Sequence, residues 1–100
     1  MHILSWNKQG GRMPQMAIVQ NGVLVIPNIQ TSDTGNYVCM GTDMFHMDEA
    51  MAVIIVKGRT YFVGLGETFL ENLLTECVLY CWFEFSFSVT THQVLMLIVF

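Results

Sequence analysis

Residues 24 to 39 read LVIPNIQTSDTGNYVC, and their spacing decides the fold. Leu24 and Ile26 alternate with Val25 and Pro27 as a half-buried strand does, and Ile29 ends the apolar part. The polar run Gln30 to Asn36 is rich in turn formers. Asp33, Gly35, Tyr37 and Cys39 then recur at two-residue steps, which marks a corner leading into a second strand. In that corner Asp33 is suited to accept backbone hydrogen bonds, and Gly35 admits backbone angles that other residues resist. Asp33 therefore has a structural task rather than a catalytic one.

On the N-terminal side, Ile3 to Asn7 reads as a short strand with Leu4 and Trp6 facing one way, and Trp6 is a core residue because its ring carries a large burial energy. Lys8 to Gln15, with Gly10, Gly11 and Pro14, is loop. Gln15 to Gln20 reads as an edge strand, and Asn21-Gly22 is a two-residue hairpin signal, so Met16 to Val19 should pair antiparallel with Val23 to Ile26. Beyond Cys39, the loop GTDMFHMDE leads to AMAVIIV, in which Ala50, Ala52, Ile54 and Val56 point one way and Met51, Val53 and Ile55 the other. Both faces are apolar, so the outward side should meet a partner or the C-terminal tail. Met44, Phe45, His46 and Met47 form a candidate contact loop.

These elements resemble the second half of an immunoglobulin-like domain of the intermediate set, over about Leu4 to Val56. Ser5-Trp6-Asn7-Lys8 looks like strand C, Val23 to Ile29 like strand E, Asn36 to Gly41 like strand F and Ala50 to Val56 like strand G. Tyr37, two residues before Cys39, matches the tyrosine corner, whose hydroxyl bonds back to the backbone upstream. The run Trp6-x-Lys8-x-Gly10-Gly11-x-Met13-Pro14, followed by Asn21-Gly22-x-Leu24-x-Ile26-Pro27, looks most like the tandem repeats of perlecan-type basement-membrane heparan sulfate proteoglycans. The resemblance implies an all-β fold, a partial sandwich of strands C to G. It also implies an extracellular setting and matrix or cell-surface protein partners, although the first residues, MHILSWNKQG, lack the long apolar run of a secretory signal.

Two departures from the pattern carry expectations. The chain starts just before strand C, so strands A and B are expected to be missing together with the strand-B cysteine that pairs across the sandwich with the one on strand F. Cys39 is then a free thiol unless Cys77 or Cys81 reaches it, and the open edge of strand E could recruit another chain or the tail strand Trp82 to Val89. The second departure is His46, which stands where the turn between strands F and G commonly has glycine. A left-handed backbone there would cost about 1 kcal/mol.

Residues 1-56 thus read as an incomplete immunoglobulin-like domain and residues 57-100 as an apolar tail of mixed helix and strand. Beyond Arg59 there is no Lys or Arg. Phe69, Leu70, Leu73, Leu74, Cys77, Val78 and Cys81 recur at three and four residues, which predicts a helix over Glu67 to Trp82 with Thr68 and Glu71 as its capping pair. Trp82 to Val89 alternates as a strand, and Val94 to Phe100 is wholly apolar. Three readings of the tail stay open: a membrane segment, a packed extension, and read-through beyond an exon end. Against a membrane span, the longest uncharged run of the tail is Phe85 to Phe100, interrupted by Ser86, Ser88, Thr90, Thr91, His92 and Gln93, where about 20 mostly apolar residues are needed.

With 53% hydrophobic residues and 12% charged, the chain is too apolar for disorder and too sparsely charged for an ordinary soluble surface, so self-association is expected. A net charge of -4 with four Lys and Arg excludes the electrostatic footprint of nucleic-acid binding. No cofactor or metal is implied. Cys77 and Cys81 stand four apart with no histidine near enough to complete a zinc set, and Asp43, Asp48 and Glu49 are too few for an organised calcium site. His2, His46 and His92 are scattered, no serine or cysteine sits in a nucleophile elbow, and GLGE at Gly64 to Glu67 lacks the lysine of a phosphate loop. Two function classes follow: a non-catalytic interaction or structural module of a matrix or adhesion protein, and a membrane-associated or self-associating fragment.

Overall fold

The computed structural model describes residues 3–42, 44–45, 47–65, 68–73, 76–85 and 92–99; within these, residues 65, 68–73, 82–85 and 92–99 are described through their backbone pairing. The described strands in chain order are β1 (Ile3–Lys8), β2 (Ile18–Gln20), β3 (Val23–Ile26), β4 (Gly35–Thr42), β5 (Met47–Lys57), β6 (Thr60–Leu65), β7 (Thr68–Leu73), β8 (Cys77–Phe85) and β9 (His92–Val99), with one 3-10 turn at Thr31–Asp33 between β3 and β4. They form two antiparallel sheets, ordered β1-β4-β5-β6-β7 and β2-β3-β8-β9.

The hairpin expected at Asn21-Gly22 is present. Both residues have positive φ, 51° and 80°, the conformation that a two-residue turn needs to match the twist of its strands. The turn fixes the register Gln20 to Val23, Val19 to Leu24 and Ile18 to Val25. Gly22 is also a point of close approach: a Cβ there would lie 2.6 Å from Leu4 Cδ1 and against the Cys81 carbonyl oxygen. Its own carbonyl accepts hydrogen bonds from the Trp6 indole at 2.9 Å and from the Cys81 amide at 3.0 Å, so one peptide group ties β1, the hairpin and β8 together.

Alternation then builds the core. Leu24 and Ile26 on β3, Tyr37 and Cys39 on β4, and Ala52, Ile54 and Val56 on β5 are all buried, as are Trp6, Ile29, Tyr61 and Val63. They meet Cys77, Leu79 and Cys81 from β8. On β5 the other face stays partly open, with Met51 and Ile55 exposed.

The tail departs from its sequence reading. The helix expected over Glu67 to Trp82 is replaced by β7 and β8, so Thr68 and Glu71 lie within a strand and cap nothing. The reason is the edge of β3. Its unpaired backbone and the apolar faces beneath it favour a strand, and β8 pairs there as Ile26 to Cys77, Val25 to Val78, Leu24 to Leu79 and Val23 to Tyr80. This outweighs the local helical periodicity. The tail does meet the edge of strand E, but with Cys77–Tyr80 rather than with Trp82 to Val89; residues 86–89 lie outside the described set. The apolar run near the end forms β9, which pairs with β8 from Val78–Val99 to Phe85–His92.

Candidate functional site

The corner after β3 is held by a short series of hydrogen bonds. The backbone turns at Thr31–Asp33, the Asp33 carboxylate accepts from the Gln30 amide at 2.9 Å, and the Tyr37 hydroxyl donates to the Asp33 carbonyl at 2.5 Å. Burial, and then the nearby Asp33 charge, push the Tyr37 phenol well above its ordinary value, so it stays a donor. Thr34 adds a bond across the corner, its hydroxyl accepting from the Val56 amide at 2.9 Å. Gly35 keeps an ordinary backbone. A Cβ there would come within 2.6 Å of Lys8 Cε, so the end of that flexible side chain would have to shift. The Lys8 amine is itself held, donating to the Ser32 carbonyl at 3.1 Å with the Tyr37 ring 5.7 Å away.

The two sheets are joined by a disulfide between Cys39 on β4 and Cys81 on β8. The sequence left Cys39 open between a free thiol, Cys77 and Cys81; the partner is Cys81, and Cys77 is the buried free thiol. Both β8 cysteines face inward, four residues apart, but Cys77 sits opposite Ile26, while the Cys81 amide reaches the hairpin turn at Gly22. Burial pushes the Cys77 thiol up to about 12, opposed by its hydrogen bond with Tyr61. The Tyr61 phenol is raised too, chiefly by burial and then by Cys77, and it donates to the Glu76 carbonyl at 3.0 Å. A buried, protonated thiol is a poor nucleophile.

The surface features are apolar. Met44 and Phe45 between β4 and β5 are 88% and 82% exposed, and Met47 follows at 69%. The strand register sets Met47, Thr42 and Ile3 in one row across the outer face of the sheet, with Met51, Val38 and Asn7 in another further along. Exposed apolar side chains therefore gather at the loop tip, Met44, Phe45 and Met47 with Ile3 in the Met47 row, while exposed Glu49 on the same face separates them from Met51. His46 and Asp43 lie outside the described residues, as do His2 and Glu67. Asp48 and Glu49 point to opposite faces of β5, and among the described residues no group of three or more potential metal ligands occurs. A cleft of about 430 Å³ between β1 and the corner is lined by Lys8, Arg12, Gln15, Asn28, Gln30 and Ser32.

The arrangement defines a class. The β1-β4-β5 part of the first sheet and the β2-β3-β8-β9 sheet match the C-F-G and D-E-B-A sheets of an immunoglobulin sandwich, with a disulfide at the B–F position, a buried strand-C tryptophan and the tyrosine corner, while β6 and β7 extend the first sheet beyond the strand-G position. The chain is a partial immunoglobulin-like domain whose strand-B position is filled by β8. Three relatives agree. The chain is 42% identical over 57 residues, 56% of its length, to the mouse basement membrane-specific heparan sulfate proteoglycan core protein. It is 43% identical over 44 residues, 40% of its length, to human Roundabout homolog 2, and 35% identical over 49 residues, 49% of its length, to mouse protein sidekick-2. It spans only 2 to 3% of the length of these relatives. No family model and no solved structure matches.

Proposed function

We propose that the chain is a non-catalytic protein–protein interaction module of an extracellular matrix or cell-adhesion protein, working outside the cell on matrix or cell-surface partners. The observation that carries this reading is the exposed apolar cluster of Met44, Phe45 and Met47 on a sandwich whose ionisable core groups are committed to structure. An exposed apolar patch on a rigid sheet favours a protein contact over a small ligand. The extracellular setting rests on the relatives and fits a disulfide, which persists where conditions are oxidising. Self-association through the same patch is part of this reading. Among the described residues no helix is long and apolar enough to cross a membrane.

Beads coated with the oxidised full chain test it against immobilised basement membrane and against cell surfaces. Binding should fall severalfold in a Met44→Ser, Phe45→Ser variant that unfolds at the same temperature as the parent. Equal binding by that variant, or by reduced and unfolded chain, would overturn it.

A further inference from the structure

The outward face of β5 carries a row of side chains that complements itself when reversed. Alternation sends Ala52, Ile54 and Val56 into the core, so Glu49, Met51, Val53, Ile55 and Lys57 point outward. Glu49 and Lys57 stand exposed at the two ends with opposite charge, and three apolar residues fill the middle. The flanking positions on β4 and β6 add no charge: Val38 lies beside Met51, Asn36 and Gly64 beside Val53, and Phe62 beside Ile55. From Glu49 to Lys57 the row is about 26 Å long at roughly 3.3 Å per residue.

None of the described strands covers this row. β6 and β7 continue the sheet edgewise, β8 and β9 belong to the other sheet, and Met51 and Ile55 stay exposed. An apolar stretch left open on a sheet face marks a contact surface, and the charges at its ends select what fits there. A second copy laid on it in the same direction would set Glu49 against Glu49 and Lys57 against Lys57, which repels. Turned by a two-fold axis through Val53, the copy instead sets Glu49 against Lys57, Met51 against Ile55 and Val53 against Val53. Both ends of the row are then paired with the opposite sign, and face-to-face sheets whose strands cross within about 30° keep such rows together.

We propose that two copies of this chain pair through the outward faces of β5, in an antiparallel two-fold contact. The partner is a second copy, and the contact closes on itself, so it yields a dimer rather than a filament. A row of this length with one strand to either side is a smaller surface than obligate dimers bury, so the pair dissociates on dilution. This contact goes beyond the interaction module proposed above. It uses neither Met44 nor Phe45 and stands or falls without them.

The test uses the oxidised full chain in ordinary and nitrogen-15 form, mixed in equal amounts and treated with a carbodiimide, which joins a carboxylate to an amine in direct contact. Digestion and mass spectrometry should find Glu49 joined to Lys57, a link that one straight strand cannot make within itself. About half of these links should be of mixed label, as random pairing of copies requires, and they should fade on dilution. Sedimentation should show a monomer–dimer equilibrium that Lys57→Glu or Glu49→Lys weakens at least about tenfold. Both changes in one chain, or a mixture of the two single variants, should restore it. All these variants alter exposed side chains and should keep the parent's unfolding temperature, and Met44→Ser with Phe45→Ser should dimerise as the parent does. A chain that stays monomeric at every concentration, an absence of mixed-label Glu49–Lys57 links, or a double variant that pairs no better than the single ones would overturn the proposal.

Discussion

β3 and β8 lie side by side in one sheet, yet only one of them is recognisable as a strand from its own residues. Leu24 and Ile26 alternate with half-buried Val25 next to an Asn-Gly turn, so β3 carries both its period and its start. In β8 the inward residues Cys77, Leu79 and Cys81 are interleaved with apolar Val78 and Tyr80. A spacing of four is common to one face of a strand and one stripe of a helix, and with Leu73 and Leu74 before it the helical pattern prevails. The contrast shows that a strand can be specified by the edge it completes.

If that account holds, β8 should matter to stability as much as β3 does, and substitutions can separate the two. The largest effect is expected from Cys39→Ser or Cys81→Ser. The disulfide joins residues 42 apart in sequence, for which the loss of chain constraint alone costs about 4 kcal/mol. Chemical denaturation of either variant should show most of the domain's stability gone. Next come Leu24→Ala and Leu79→Ala, both at fully buried sites that face each other across β3 and β8. Each should cost about 3 kcal/mol, and similar values would put β8 in the same core as β3. A small cost for Leu79 alone would break the comparison.

Smaller effects belong to the corner and to the free thiol. Tyr37→Phe removes the hydroxyl bond to the Asp33 carbonyl and should cost about 1.5 kcal/mol by the same measurement. Cys77, whose ordinary value of 9.0 is pushed up to about 12 chiefly by burial, should resist alkylation at pH 8 until the chain unfolds. Because its folded value lies above its unfolded one, its contribution to stability is full below pH 9 and is lost as the pH rises from there through about 12. Cys77→Ala should flatten that alkaline decline. The smallest change is expected for Met44→Ser with Phe45→Ser, within about 0.5 kcal/mol on unfolding, because both side chains are highly exposed.

The sandwich type and the pairing of β2 with β3 were legible because residues close in sequence specify them. The Asn21-Gly22 turn fixes a register by itself, and the Tyr37 and Cys39 spacing marks one strand of one architecture. What filled the strand-B position was not legible. Pairing across 42 residues depends on how Cys81 meets the Gly22 carbonyl and Cys39 once both sheets exist, and no local spacing encodes that. Gly35 shows the same limit at a smaller scale. The sequence suggests backbone freedom, whereas in the structure Gly35 keeps an ordinary φ and the end of the Lys8 side chain lies over it. The exposed apolar cluster after β4 was visible through Met44, Phe45 and Met47, but the place of Ile3 in the Met47 row needs the β1–β4–β5 register.

The central claim is that β8 closes the sandwich beside β3, and disulfide mapping of the oxidised full chain tests it most directly. Digestion without reduction should release one linked pair, Cys39 with Cys81, and leave Cys77 open to alkylation after unfolding. A Cys39–Cys77 pair, or Cys39 recovered as a thiol, would contradict it.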